Sequence, residues 1–90
     1  MAKAIVDPEE LRRFAEELKR FNGDLQNSMA SLQARFSALS DTWQDHEHAK
    51  FAQEFQETMK VLRRFMESSG HQGPFLLRKA QRIEDYLNQR

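Results

Sequence analysis

The stretch "DTWQDHEHAK", Asp41–Lys50, decides how this 90-residue chain folds. It holds the single tryptophan, two histidines two residues apart, and the acids Asp41, Asp45 and Glu47. Read for chemistry, it is a metal or catalytic site. Read for conformation, it is a corner between two structural elements. The patterns on either side of it choose between the two.

Upstream, "VDPEEL" predicts a helix that starts at Pro8. Asp7 can cap it, Pro8 suits the first helical position, and Glu9 and Glu10 face the positive end of the helix dipole. Val6 and Leu11 have the spacing of a hydrophobic staple. Apolar residues then fall at Leu11, Phe14, Leu18, Phe21, Leu25, Met29, Leu32, Phe36, Leu39 and Trp43, in steps of 3, 4, 3, 4, 4, 3, 4, 3 and 4. This is a heptad stripe with one stutter, and a single helix of roughly 50 Å, over about 8–40, carries it in phase. Gly23 lies off the stripe and reads as tolerated, with a break at "FNGDL" as the alternative. Each basic pair of the repeat "EELRRFA…EELKRFN" has a glutamate three or four residues before it, so this face reads as solvated and laced with ion pairs.

The pattern stops at Ser40, Asp41, Thr42 and Asp45, which are turn and cap formers. A turn over about 41–45 follows, with Asp45 or Asp41 capping the next helix. A second apolar face runs through Phe51, Ala52, Phe55, Met59, Leu62, Phe65 and Met66, predicting a helix over about 46–69. Two long amphipathic helices joined by so short a turn run antiparallel. "SSGHQGPF" is a second punctuation, and Pro74 cannot donate to the carbonyl of Gly70. A kink or break at 70–74 and a third segment over about 75–88 are expected, the latter with Leu76, Ala80, Ile83 and Leu87 on one face. Stepping 3, 4 and 3 from Met66 reaches Ser69, Gly73 and Leu76, so the second arm is expected to keep its direction. Folding back into a three-helix bundle is the alternative. The fold class is all-α, one helical-hairpin domain over 1–90.

The histidines fail as a site. Residues i and i+2 point about 200° apart on a helix, so His46 and His48 cannot share a metal there. "HEHAK" begins the H-E-x-x-H pattern, but Lys50 stands where the second histidine is needed. They read as polar residues in an exposed first turn, and His71 belongs to the other punctuation. No serine has an elbow signature, and the three glycines form no phosphate loop. Neither enzyme activity, a metal nor a cofactor is expected.

Formal charge is zero, with 14 basic and 14 acidic residues, which disfavours nucleic acid. The absence of cysteine excludes disulfides and thiolate zinc sites. No apolar run reaches the roughly 20 residues of a membrane span, so membrane insertion is not expected. "MAKAIVDPEE" lacks the apolar core of a cleaved signal peptide.

Trp43-Gln44-Asp45 at the corner, Phe51 and Phe55 opening the second arm, and a heptad arm beyond them give the chain its likeness. Over essentially its whole length it resembles the WXG100, or ESAT-6-like, family. The resemblance implies a hairpin that pairs with its own copy, or with a paralogous WXG100-like chain, into an antiparallel four-helix bundle. It implies synthesis in the cytoplasm and export by a type VII (ESX-like) secretion system without a cleaved signal, with a secretion ATPase among the partners. By that analogy Trp43 and Asp45 form a recognition turn, and Tyr86 is the nearest remnant of a tail signal. Three departures stand out. Asp45 occupies the usual glycine position, although Asp tolerates a left-handed or capping conformation. Tyr86 is followed four residues on by Arg90, where an acid is usual. The second arm carries the Gly/Pro interruption.

Both arms have apolar faces wider than one seam, which independently points to a dimer. The expected core and dimer interface comprises Phe14, Leu18, Phe21, Leu25, Leu32, Phe36, Phe51, Phe55, Met59, Leu62, Phe65 and Met66. Two other readings remain open. One is a cytosolic helical adaptor or coiled-coil module. The other is a nucleic-acid-associated protein using Arg63, Arg64, Arg78, Lys79 and Arg82.

Overall fold

The start of the first helix follows from its cap. In the computed structural model, which describes residues 6–89, Asp7 Oδ1 accepts the Glu9 amide at 2.9 Å and Pro8 opens the helix. Helix α1 spans Pro8–Thr42 and runs unbroken through Gly23, which is exposed. Helix α2 spans Glu47–Leu87. The described residues contain these two helices and no strand. They pack antiparallel as a hairpin with extents of 70 × 18 × 16 Å.

One seam holds the arms together. On α1 it is lined by Leu11, Ala15, Leu18, Asn22, Leu25, Met29, Gln33, Phe36, Ser40 and Trp43, which are buried or half-buried. On α2 the matching line is His48, Ala52, Phe55, Met59, Leu62, Met66, Ser69, Gly73, Leu76, Ala80 and Ile83. Both lines step by three and four, as coiled-coil packing requires. Met59, at 1 % exposure, is the largest side chain fully covered. Ser69 is also buried, and its hydroxyl donates back to the carbonyls of Phe65 and Met66 at 3.0 and 3.3 Å. Asn22 Oδ1 is covered without a hydrogen-bond donor among the described residues.

The break expected at 70–74 does not occur, nor does a separate third helix over 75–88 or a fold-back into a three-helix bundle. α2 stays helical through Gly70, Gly73 and Pro74. The carbonyl that Pro74 leaves without its helical donor belongs to Gly70, and both residues lie on the exposed side, where water can serve it. Beyond the proline, Leu76, Ala80 and Ile83 continue the seam in phase and hold the helix to α1. Tertiary packing therefore outweighs a local cost of about 3 kcal/mol.

The apolar stripe read from the sequence divides in two. Leu18, Leu25, Phe36, Phe55, Met59, Leu62 and Met66 face the seam. Phe14, Phe21, Leu32, Leu39, Phe51 and Phe65 are exposed beside it. Phe14, Phe21, Leu32 and Leu39 are spaced by 7, 11 and 7 residues, which places them along one side of α1. Phe21 meets Phe65 edge-on across the arms, with centroids 5.9 Å apart, so the two exposed rows share one face.

Candidate functional site

The turn is built from its own hydrogen bonds. α1 closes where the Trp43 amide donates to the Leu39 carbonyl at 3.0 Å, and the Thr42 hydroxyl donates to the same carbonyl at 3.2 Å. Gln44 Nε2 reaches back to the Asp41 carbonyl at 3.2 Å. α2 begins under Asp45, whose Oδ1 accepts the Glu47 amide at 3.0 Å and whose carbonyl accepts the His48 amide at 3.2 Å. His46, although adjacent to the helix, makes no side-chain capping bond. Asp45 is thus the effective cap, one residue ahead of His46. No described residue has a positive φ, so the capping capacity of Asp45 is used here and its left-handed tolerance is not.

The same Oδ1 accepts the Trp43 indole N–H at 2.7 Å. The indole is half-buried, tilted against Phe51 at 5.5 Å and set edge-on to His48 at 5.3 Å. His48 in turn stacks on Phe36, with centroids 5.7 Å apart and planes 6° from parallel. Its Nε2 is 2.7 Å from the Ser40 hydroxyl. Phe36 also contacts Phe51 and Phe55, at 5.7 and 4.9 Å. An aromatic cluster therefore joins both arms beneath the turn.

This corrects the reading of the histidines as a pair of exposed polar residues. His46 is exposed, whereas His48 is half-buried and packs as a ring. The two point apart, and among the described residues no three His, Asp or Glu side chains gather as a metal-binding group. The sequence signal for His48 was its place: it lies four residues before Ala52 on the α2 seam and opposite Ser40 on α1. Reading the two histidines for ligand spacing alone missed it.

Tyr86 lies at the other end of the molecule, on the last turn of α2, and is 64 % exposed. Arg90, the residue that departs from the expected tail signal, is outside the described residues, as is the stretch 1–5. Near that end Arg12 and Glu84 make a forked ion pair across the arms, with both N–O distances 2.8 Å. Hydrogen bonding to Arg12 holds the Glu84 carboxyl below its ordinary range, against an opposing effect of burial, and the pair raises the pKa of Arg12. The helix neighbour Glu9, which the i, i+3 spacing offers to Arg12, is farther away, at 3.5 Å. Among the described residues no helix is long and apolar enough to cross a membrane.

The family model described as "WXG100: Proteins of 100 residues with WXG" matches residues 4–86. No curated protein matches the chain. Among solved structures, a proline-to-alanine variant of the secreted protein EsxB from Bacillus anthracis str. Sterne is similar, with a TM-score of 0.82 and 26% identity, covering 94% of this chain and 96% of that one. The selenomethionine-labelled EsxB of the same strain gives a TM-score of 0.80 at 26% identity, over 98% of this chain and 100% of that one.

Proposed function

This chain belongs to the WXG100 family, and from that premise we propose that it is a non-enzymatic interaction protein exported by a type VII secretion system as a helical dimer. The observation that carries the dimer is surface. The hairpin exposes 7220 Å², against about 5,500 Å² for a compact monomer of this mass. Large apolar side chains are part of that surface. Phe14 and Phe21 are more than half exposed, and Phe65 is 42 % exposed, on one continuous face. A second copy or a paralogous chain laid on that face makes a four-helix bundle and removes this area from water.

Export rests on the family and on the likeness to a secreted EsxB. In this reading the corner at Trp43 is a recognition surface, and a secretion ATPase is among the partners. Tyr86, exposed near the end of α2, is accessible to the same machinery.

One experiment addresses both halves. The chain is expressed in a host that carries a type VII system, with and without its ATPase, and the culture medium is assayed. Accumulation in the medium only when the ATPase is present is expected, whereas retention in both hosts favours the cytosolic adaptor. Sedimentation of the purified protein at about 50 µM reads the dimer, and Phe21→Glu with Phe65→Glu should shift it to monomer, since buried unpaired charge is costly. A wild-type monomer at that concentration rejects the pairing.

A further inference from the structure

We propose that Asp45 is a positioning residue that fixes how Trp43 is presented, by tying the indole to the start of α2 through a single carboxylate oxygen. The proposal rests on the turn being a recognition surface, as argued above. Its own evidence is geometric. Asp45 Oδ1 accepts the indole N–H at 2.7 Å and the Glu47 amide at 3.0 Å. Packing against Phe51 and His48 sets how closely the indole lies on α2. The hydrogen bond adds direction, because it fixes which edge of the ring points back into the turn.

An indole has one donor and no acceptor, so this bond satisfies its polar capacity. A charged acceptor at this distance is among the stronger hydrogen-bonding partners available. Trp43 therefore meets a partner through its ring surface, and the receiving site needs no acceptor opposite the N–H. A glycine at position 45, as in a W-x-G sequence, has no side chain to make either bond. What glycine uniquely offers is backbone freedom at positive φ, and no described residue adopts it. Asp45 thus exchanges backbone freedom for a side-chain tether.

The competing explanation is that Asp45 merely caps α2, and serine separates the two. Ser is a strong N-cap, but its oxygen lies one bond closer to the backbone, so Asp45→Ser keeps the cap and releases the indole. Asn keeps the carbonyl oxygen at the original reach and should restore both bonds. The single tryptophan reports without interference. In Asp45→Ser, circular dichroism should be unchanged while the indole N–H exchanges with solvent about tenfold faster and tryptophan anisotropy falls. Asp45→Asn should retain most of the protection. An indole N–H protected equally in Asp45→Ser and the wild type overturns the tether.

The functional half is read by export. Asp45→Ser should lower it and Asp45→Asn should rescue it, with Trp43→Ala as the reference for loss. If Trp43→Ala abolishes export while Asp45→Ser leaves it intact, positioning by Asp45 plays no part and the proposal falls. If neither variant changes export, the recognition reading of the turn fails, and the exchange rates decide the tether separately.

Discussion

The two ends of the hairpin are held by opposite kinds of side chain. Beneath the turn the arms are joined by aromatic rings, with Phe36, Trp43, His48, Phe51 and Phe55 linked by a chain of ring contacts. Toward the open end the most covered residues of the seam are small, Ala15, Ser69 and Ala80, set among Leu11, Leu18, Leu76 and Ile83 with the Arg12–Glu84 fork beside them. Two helices alone can cover an alanine or a serine. They leave part of a large ring uncovered where it sits beside the seam, and Phe51 is still 41 % exposed in the hairpin. Large apolar side chains thus stay exposed toward both ends, Phe14 and Leu77 at the open one and Phe51 beside the turn, and the ends differ in what fills the seam between the arms.

The largest test of this contrast is Phe36→Ala, which removes the ring that His48, Phe51 and Phe55 share. A loss of about 3 kcal/mol in denaturant unfolding is expected, the lower end for buried phenylalanines because Phe36 is only half-buried. A change below about 1 kcal/mol would mean that the cluster does not hold the turn. Next in size is Ala80→Leu. Ala80 has 0 % exposure, so the added carbons have no room, and about 2 kcal/mol should be lost. Ala52→Leu, on the half-buried seam near the turn, should cost less. Equal costs at the two positions would erase the difference in packing between the ends.

The sequence made the architecture legible because its signals were redundant. Asp7 and Pro8 mark the start, a stripe in phase marks one uninterrupted arm, and the cluster from Ser40 to Asp45 marks the corner. Gly70–Pro74 was harder to read. The local chemistry argues for a break, while the preserved phase argues for continuity, and only the packing of Leu76, Ala80 and Ile83 on α1 decides between them. The stripe also could not reveal which half faced inward. Leu18 and Phe21 are neighbours in the pattern, yet Leu18 is half-buried in the seam while Phe21 stays exposed beside it, because the stripe is wider than one seam. At the turn, Trp43 and Asp45 stood out by type and spacing. The bond between them, and the ring packing of His48, depend on how the corner folds and have no counterpart in spacing.

The smallest expected effect lies at the open end, in Glu84→Gln. Both members of the fork are about one-third exposed, with side-chain values of 31% and 34%, so solvent and salt weaken the pair. Its signature is pH dependence. The Glu84 carboxyl is held below its ordinary range chiefly by the hydrogen bond to Arg12. A depressed carboxyl contributes stability that is present above its unfolded pKa and lost as pH falls through the folded one. Arg12 is shifted upward, so its own loss would come only at strongly alkaline pH. Thermal midpoints of wild type and Glu84→Gln, followed from neutral pH to about pH 3, should therefore differ most near neutrality and converge in acid. Salt should shrink the gap at neutral pH, since this pair is open to screening. A constant gap across the series would assign the difference to lost packing around the side chain. Coincident midpoints would mean that the fork adds nothing to the small-residue seam, which would then hold the open end by itself.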